Sequence, residues 1–401
     1  MLKHQIQSVI SPLKNITGGR LHITLPNQEQ MEFGDLDNFG LEEAIELNIQ
    51  SWKVFKYILN RGDIGFAESY IDGSWTTNNL EGVLRLALMN RAILESLIYG
   101  SNLGSLLYKI KHFFRRNTRT GSRKNIHAHY DLGNQFYQLW LDPTMMYSSA
   151  LYAGDYSQSL EAAQQSKLER ILRQLNVAEN AHLLEIGCGW GGFMNLAIEH
   201  NLQITGITLS TEQKSFVDEK LRSLNQSHAH QPSQALLLDY RDCQDQFDGI
   251  ASIEMFEAVG ESYWPEYFAT LWRCLKPGKR AVIQTIVIQD GLFAKYRSAT
   301  DFIQQYVFPG GMLPSPSIFL KCANDAGLKL IDQYSFGNDY AHTLREWRTR
   351  FNDKIADIQN LGFSEEFIRL WNFYLMYCAA GFAQKDIDVI QFTLEKPYVT
   401  P

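Results

Sequence analysis

Leu183-Leu184-Glu185-Ile186-Gly187-Cys188-Gly189-Trp190-Gly191-Gly192 decides the fold. Its apolar first half reads as a buried strand, and the glycines after it as a turn opening into a helix from Phe193 to His200. Glycine lets the backbone bend sharply there and lets a ligand approach without meeting a Cβ. The spacing is G-x-G-x-G, not the G-x-G-x-x-G of a dinucleotide pyrophosphate site, and no Lys-Ser/Thr pair follows, which excludes a P-loop. The stretch stands either as a tight strand-to-helix connection or as the cradle of another ligand.

Outward from this turn, strands and helices alternate from Asn125 onward, as a doubly wound sheet requires. Strands are predicted over residues 182–187, 203–209, 235–239, 248–253, 280–288, 328–334 and 388–396, with helices over 161–175, 192–200, 211–224 and 264–274. The expected fold is α/β: a doubly wound, seven-stranded, Rossmann-like catalytic domain over 125–401. A smaller α+β N-terminal domain precedes it over 1–114, with short strands at Arg20–Leu25 and Met31–Phe33, and residues 115–124, RRNTRTGSRK, read as an exposed basic linker. The stretch from Gln289 to Gly327, containing Phe308-Pro309-Gly310-Gly311, is too long for a simple connection and is expected to shape a substrate pocket or lid.

A chain of 401 residues with 45% hydrophobic content can bury a large core and suggests two domains. A net charge of −7 argues against nucleic-acid binding. Five cysteines without a CxxC pair suit reduced thiols in a cytoplasmic protein. The N-terminal residues lack the apolar core of a signal peptide, and no apolar run is long enough to span a bilayer. Lys109, Lys111, Arg115, Arg116, Arg119, Arg123 and Lys124 form an acid-free basic stretch after an apolar region, Val83 to Phe114. That pairing suits anionic headgroups, at about 1 kcal/mol per basic residue, and equally suits a solvated linker. His127 and His129 lack the cysteine or carboxylate company of a metal site, so no metal is expected.

In an open α/β sheet, ligands bind beyond the carboxyl ends of the strands, and three such ends are polar here. Together they resemble the cofactor pocket of S-adenosylmethionine (SAM) methyltransferases. In the first, Glu185 could reach the methionine amino group while Gly187, Cys188, Gly189, Trp190 and Gly191 wrap the methionine and ribose. The second end is Thr208-Leu209-Ser210 with Gln213. The usual ribose carboxylate is missing there, and Thr208 and Gln213 are the ribose candidates. The third supplies Asp239 for the adenine amine and Tyr240 to flank the ring.

The chain closely resembles the cyclopropane-fatty-acyl-phospholipid synthase family and its mycolic-acid and fatty-acyl methyltransferase relatives. The matching segments are His129-Tyr130-Asp131-Leu132-Gly133-Asn134, Tyr147-Ser148-Ser149-Ala150, the glycine turn, Met255-Phe256-Glu257-Ala258-Val259-Gly260, Phe308-Pro309-Gly310-Gly311 and Asp339-Tyr340. The resemblance implies methylene transfer from SAM to the cis double bond of an unsaturated phospholipid acyl chain, by a homodimer held peripherally at the inner face of the membrane. It adds Tyr147 and Ser148 to the cofactor contacts.

An alkene is a poor nucleophile, and alkylating it leaves a carbocation. Aromatic faces stabilise such a charge by roughly 0.5–2 kcal/mol each, a task expected of Tyr130, Phe256, Tyr340 and Phe308. Proton removal needs a positioned base. The resemblance implies a bound bicarbonate held by Glu257, Tyr340, the backbone near Ile286, and a Cys and a His that are replaced here by Ser149 and Gln284. A further His of the family is Ala258. Ser and Gln still hydrogen-bond an anion, but Gln carries no proton. Glu254 reads either as a compensating carboxylate or as a structural salt-bridge or cap residue. Cys378 aligns with a cysteine proposed as catalytic in the family, against the plainer reading of a helix-packing side chain. The altered residues motivate an alternative product, a methyl or methylene branch, and a non-catalytic lipid-binding relative is the remaining reading.

Overall fold

A computed structural model of the chain describes residues 2–35, 44–99, 132–227 and 232–398. They divide between two compact units. The first joins Met1–Phe114 to Ala294–Pro309 and Trp347–Asp386. Its strands β1 (Gly19–Thr24) and β2 (Gln30–Asp35) form an antiparallel hairpin, to which β3 (Ile45–Ile49) adds in parallel and β4 (Trp75–Thr77) antiparallel to β3. Alternate burial along β1 puts Leu21 and Ile23 inside, the period-2 pattern of a half-covered sheet. The helix Glu365–Ala383 packs on the helices Lys53–Ile71 and Leu80–Met89, and within it Tyr377 donates to Asp63 at 3.0 Å.

The second unit comprises Arg115–Phe293, Gly310–Glu346 and Ile387–Pro401. Seven strands form one sheet: β5 (His182–Ile186), β6 (Gln203–Thr208), β7 (Gln234–Leu237), β8 (Phe247–Ile253), β9 (Leu275–Ile288), β10 (Lys329–Ser335) and β11 (Ile387–Glu395). Their order is β10-β11-β9-β8-β5-β6-β7, parallel except for β11, which runs antiparallel to both neighbours. Every strand predicted for this sheet is present, and the fold is the expected Rossmann-like one. The winding reverses at β5, which has β6 on one side and β8 on the other, so the crevice for a ligand opens above its carboxyl end.

The stretch Gln289–Gly327, expected to shape a substrate pocket or lid, is divided between the two units. Residues 294–309 belong to the first unit, whereas the helix Pro316–Asp325 covers the sheet beside β10. It is an ordinary crossover helix, opened by Pro316 at its first turn.

Gly206 shows how tightly the switch point is packed. A Cβ there would come within 2.8 Å of the Cys188 Cβ and 2.5 Å of the Met194 Sδ. Gly206→Ala is expected to destabilise the protein by about 1–3 kcal/mol. Gly291→Ala, at a helical glycine with nothing within 4 Å, should be neutral or stabilising. Urea unfolding of both variants checks this, and equal midpoints would contradict it.

Candidate active site

Above the ends of β5 to β8 lies a cavity of about 1050 Å³, its open mouth included. Gly187 takes φ 81°, and a Cβ on it would meet the Met255 side chain at 2.8 Å. The amides of Gly187 and Cys188 both donate to the Ile207 carbonyl, at 2.9 and 3.1 Å, fastening the turn to β6. Tyr147, Ser148, Glu185, Gly187, Cys188, Gly189 and Trp190 all line the cavity, as do Thr208, Leu209, Gln213, Asp239 and Tyr240. Gly191 and Ser210 stand behind the wall. The Gly191 amide closes the turn on the Cys188 carbonyl, and the Ser210 hydroxyl accepts from the Gln213 amide at 3.2 Å.

The polar groups on this wall fit the cofactor the sequence implies. Glu185 is buried, and its Oε2 is sealed from solvent without a hydrogen-bond partner among the described residues, as suits a group that would receive an ammonium. Burial pushes its pKa well above the ordinary value. Thr208 donates to the Gln213 carbonyl oxygen at 2.9 Å, joining the two ribose candidates. Asp239 departs from expectation. Both of its oxygens are held by the Arg241 guanidinium, at 2.8 and 2.6 Å, so an adenine amine would share a carboxylate already in a bidentate pair.

The two carboxyl groups Glu254 and Glu257 are held differently. Glu254 follows β8 with φ 52°, a left-handed conformation that costs a non-glycine residue about 1–3 kcal/mol. This turns its side chain to the cavity wall, where three donors meet it. The Ser149 amide and the Gln284 Nε2 reach Oε1, each at 2.8 Å, and the Tyr340 hydroxyl reaches Oε2 at 2.6 Å. Glu254 has no ion-pair partner among the described residues, which removes the salt-bridge reading.

The donors assigned by resemblance to bicarbonate are therefore spent on a carboxylate of the chain itself. Ser149 contributes its amide, since its hydroxyl donates to the Ala150 carbonyl. Glu257 accepts from the Ile286 amide at 2.5 Å and the Thr285 hydroxyl at 3.0 Å. These bonds leave the Glu257 Oε2 buried without a hydrogen-bond partner among the described residues.

Two enclosed carboxyls this close cannot both ionise cheaply. Burial and then the Glu254 charge raise Glu257 to about 8. Burial also raises Glu254, against the opposing effects of Tyr340, the Ser149 amide, Lys167 and Gln284. The arrangement favours an ionised Glu254 beside a protonated Glu257. Lys167, fully buried on the helix Leu160–Leu175, donates to the Ser148 hydroxyl at 2.7 Å. Burial lowers its pKa to about 8, opposed by Glu254, Asp142 and Glu185. Sequence reasoning passed over Lys167, although a lysine on the apolar stripe of an amphipathic helix is the available signal.

Tyr130 lies outside the described residues, as do His127, His129 and the basic stretch 109–124. Phe256 is no part of the cavity lining. It is fully buried against Trp264, Tyr267, Phe268 and Phe319, because the short helical turn Phe256–Ala258 directs it into the core. Phe308 and Cys378 belong to the first unit. The Cys378 thiol is pushed up by burial and then by Asp301, which keeps it protonated.

The family model described as mycolic acid cyclopropane synthetase matches residues 117–392. The chain belongs to the mycolic acid cyclopropane synthetase family. It is 36% identical over 342 residues to the tuberculostearic acid methyltransferase UfaA1 of Mycobacterium tuberculosis, covering 83% of this chain and 79% of that protein. Against the cyclopropane-fatty-acyl-phospholipid synthase of Escherichia coli K12 it is 34% identical, covering 88% of each. The crystal structure of mycolic acid cyclopropane synthase CmaA1 complexed with SAH and CTAB superposes with a TM-score of 0.64 at 31% identity, covering 68% of this chain and 98% of that one. Like these family members, the protein is a SAM-dependent C-methyltransferase.

The raised pKa of Glu257 carries a stability prediction. A carboxyl that holds its proton more tightly folded than unfolded contributes stability that is complete below its unfolded pKa, near 4.5, and lost as pH rises through about 8. Glu257→Gln should therefore gain stability relative to the parent between pH 5 and pH 9 in urea unfolding. Parallel pH profiles would contradict the assignment.

Proposed function

We propose that this protein alkylates the cis double bond of an unsaturated acyl chain in a membrane phospholipid, and that Glu254 takes the proton whose loss closes a cyclopropane ring. The observation that carries the reading is the Glu254 carboxylate, clasped by Ser149, Gln284 and Tyr340 on the wall of the cofactor cavity. SAM, when bound, supplies an electrophilic methyl group, whose capture by the olefin leaves a positive charge on the neighbouring carbon of the lipid. Glu185 would hold the amino group of that cofactor, Thr208 and Gln213 its ribose, and Asp239 and Tyr240 its base, with Tyr147 and Ser148 closing the near side. Glu254 accepts a proton from the new methyl carbon, and the released C–H electron pair closes the three-membered ring. Its negative charge also offsets the cation, at a short distance and away from bulk water. Glu257, protonated, adds no second negative charge.

A methylene branch, left when a hydride shift precedes proton loss, is favoured by one observation. The base here is a side chain anchored by three donors, not a small anion free to follow the charge. Vesicles of oleoyl phospholipid with methyl-labelled SAM distinguish the products. Both gain one labelled methylene, but ozone cleaves the branched alkene and leaves the ring intact.

Glu254→Gln should lower turnover by about 10²- to 10⁴-fold while SAM still binds. Glu254→Gly, which also relieves the left-handed backbone, should regain part of that loss with added formate. Full activity in Glu254→Gln would overturn the reading. Approach to the lipid is assigned to the basic stretch 109–124, since no helix among the described residues is long and apolar enough to cross a membrane. Neutralising Arg115, Arg116, Arg119 and Arg123 together should weaken binding to anionic vesicles, most at low salt. Unchanged vesicle binding would remove that segment from the account.

A further inference from the structure

Behind Gln284, away from the cavity, runs a line of hydrogen bonds that the reaction as described does not use. Gln284 on β9 lies directly opposite Gln391 on β11 in the antiparallel ladder, and both are fully buried. The Gln391 Nε2 donates to the Gln284 Oε1 at 2.9 Å. The Gln391 Oε1 in turn accepts from the Arg170 guanidinium at 2.7 Å. Arg170 sits on the helix Leu160–Leu175, paired with Asp332 and lying 4.5 Å over the Tyr334 ring.

We infer that Gln391 and Arg170 are positioning residues for Glu254, fixing which end of the Gln284 amide meets its carboxylate. This rests on the reading of Glu254 as the base.

A buried glutamine can present either its carbonyl or its NH₂, and two in series can point either way along their line. Arginine only donates. It therefore takes the Gln391 oxygen, which leaves the Gln391 NH₂ for Gln284 and the Gln284 NH₂ for Glu254. Every bond in the line donates toward the carboxylate, so each polarises the next. Reversal would set the Gln284 oxygen against Glu254, where it repels the ionised form. Asp332, on the partly exposed outer strand β10, holds Arg170 in place at the far end.

The other charged and titratable groups acting on Glu254 are Tyr340, Lys167 and Glu257, on three further elements. Lys167 lies one helical turn before Arg170, so one helix directs two of its cations to this site.

The experiment compares single-turnover rates across pH for Gln391→Met, Gln391→Glu and Asp332→Asn in the full chain, with SAM affinity and thermal midpoint measured alongside. Gln391→Met keeps the volume and removes the relay. Its turnover should fall roughly ten- to hundredfold, the loss of a hydrogen bond that supports a charge. The acidic limb of the profile should move to higher pH while SAM affinity stays. Gln391→Glu still accepts from Arg170 but no longer donates to Gln284, which then turns its oxygen to Glu254, and the loss should be deeper. Asp332→Asn, remote from the core, should move the limb the same way by less. Variants that lower the thermal midpoint but leave the limb in place would overturn the inference and make the pair a cross-strand packing contact. If Glu254→Gln itself keeps full turnover, the underlying reading fails first. If it does not, and adding Gln391→Met to it lowers the rate as much as in the parent, the relay alone is refuted.

Discussion

A carboxylate at the end of a buried strand keeps its charge only where donors replace the water it has lost. At Glu254 those donors are a backbone amide, a side-chain amide and a phenol, delivered by three separate segments of the chain. The left-handed backbone that aims the side chain is a local cost, offset by these bonds. The Ser149 loop is fixed in turn by Asp339, which accepts from the amides of Tyr152 and Ala153 at 2.7 and 2.8 Å. The residue beside it, Tyr340, supplies the phenol. One helical start thus holds both the loop and the base.

The surrounding charges follow the same economy. Glu185, Glu254 and Glu257 are enclosed in one region, and Lys167 is the buried cation acting on the first two. Their environments separate them chemically. The Glu185 Oε2 has no hydrogen-bond partner among the described residues, Glu254 is clasped, and Glu257 is driven toward its protonated form. In an electrophilic reaction the clasped Glu254 would supply the negative charge where positive charge develops. Phe256 is core, and Tyr340 stands beside Glu254.

The fold was legible because its strands are apolar runs bounded by glycine and polar turns, with Leu183, Leu184 and Ile186 as the plainest case. The N-terminal unit was harder to read. Its strand β3 alternates plainly but is only five residues long, β4 has three, and its late helix enters from the far end of the chain, a long-range packing choice that local pattern does not encode. Cofactor-wall residues were legible wherever a strand end supplied them. The proposed base was read only as one alternative, a compensating carboxylate, because Glu254 and Glu257 are three residues apart and resemblance favours the second. Only the positive φ at Glu254 and the register that sets Gln284 beside it separate the two, and both are properties of the folded backbone. Asp239 was read for its carboxylate without regard to Arg241 two residues on.

The most direct test is a high-resolution crystal structure of the protein with S-adenosylhomocysteine, grown in bicarbonate buffer. The account predicts the Glu254 carboxylate on Tyr340, Gln284 and the Ser149 amide, with no separate anion between them. A planar anion bridging Tyr340 and Glu257, with Glu254 turned away, would contradict it.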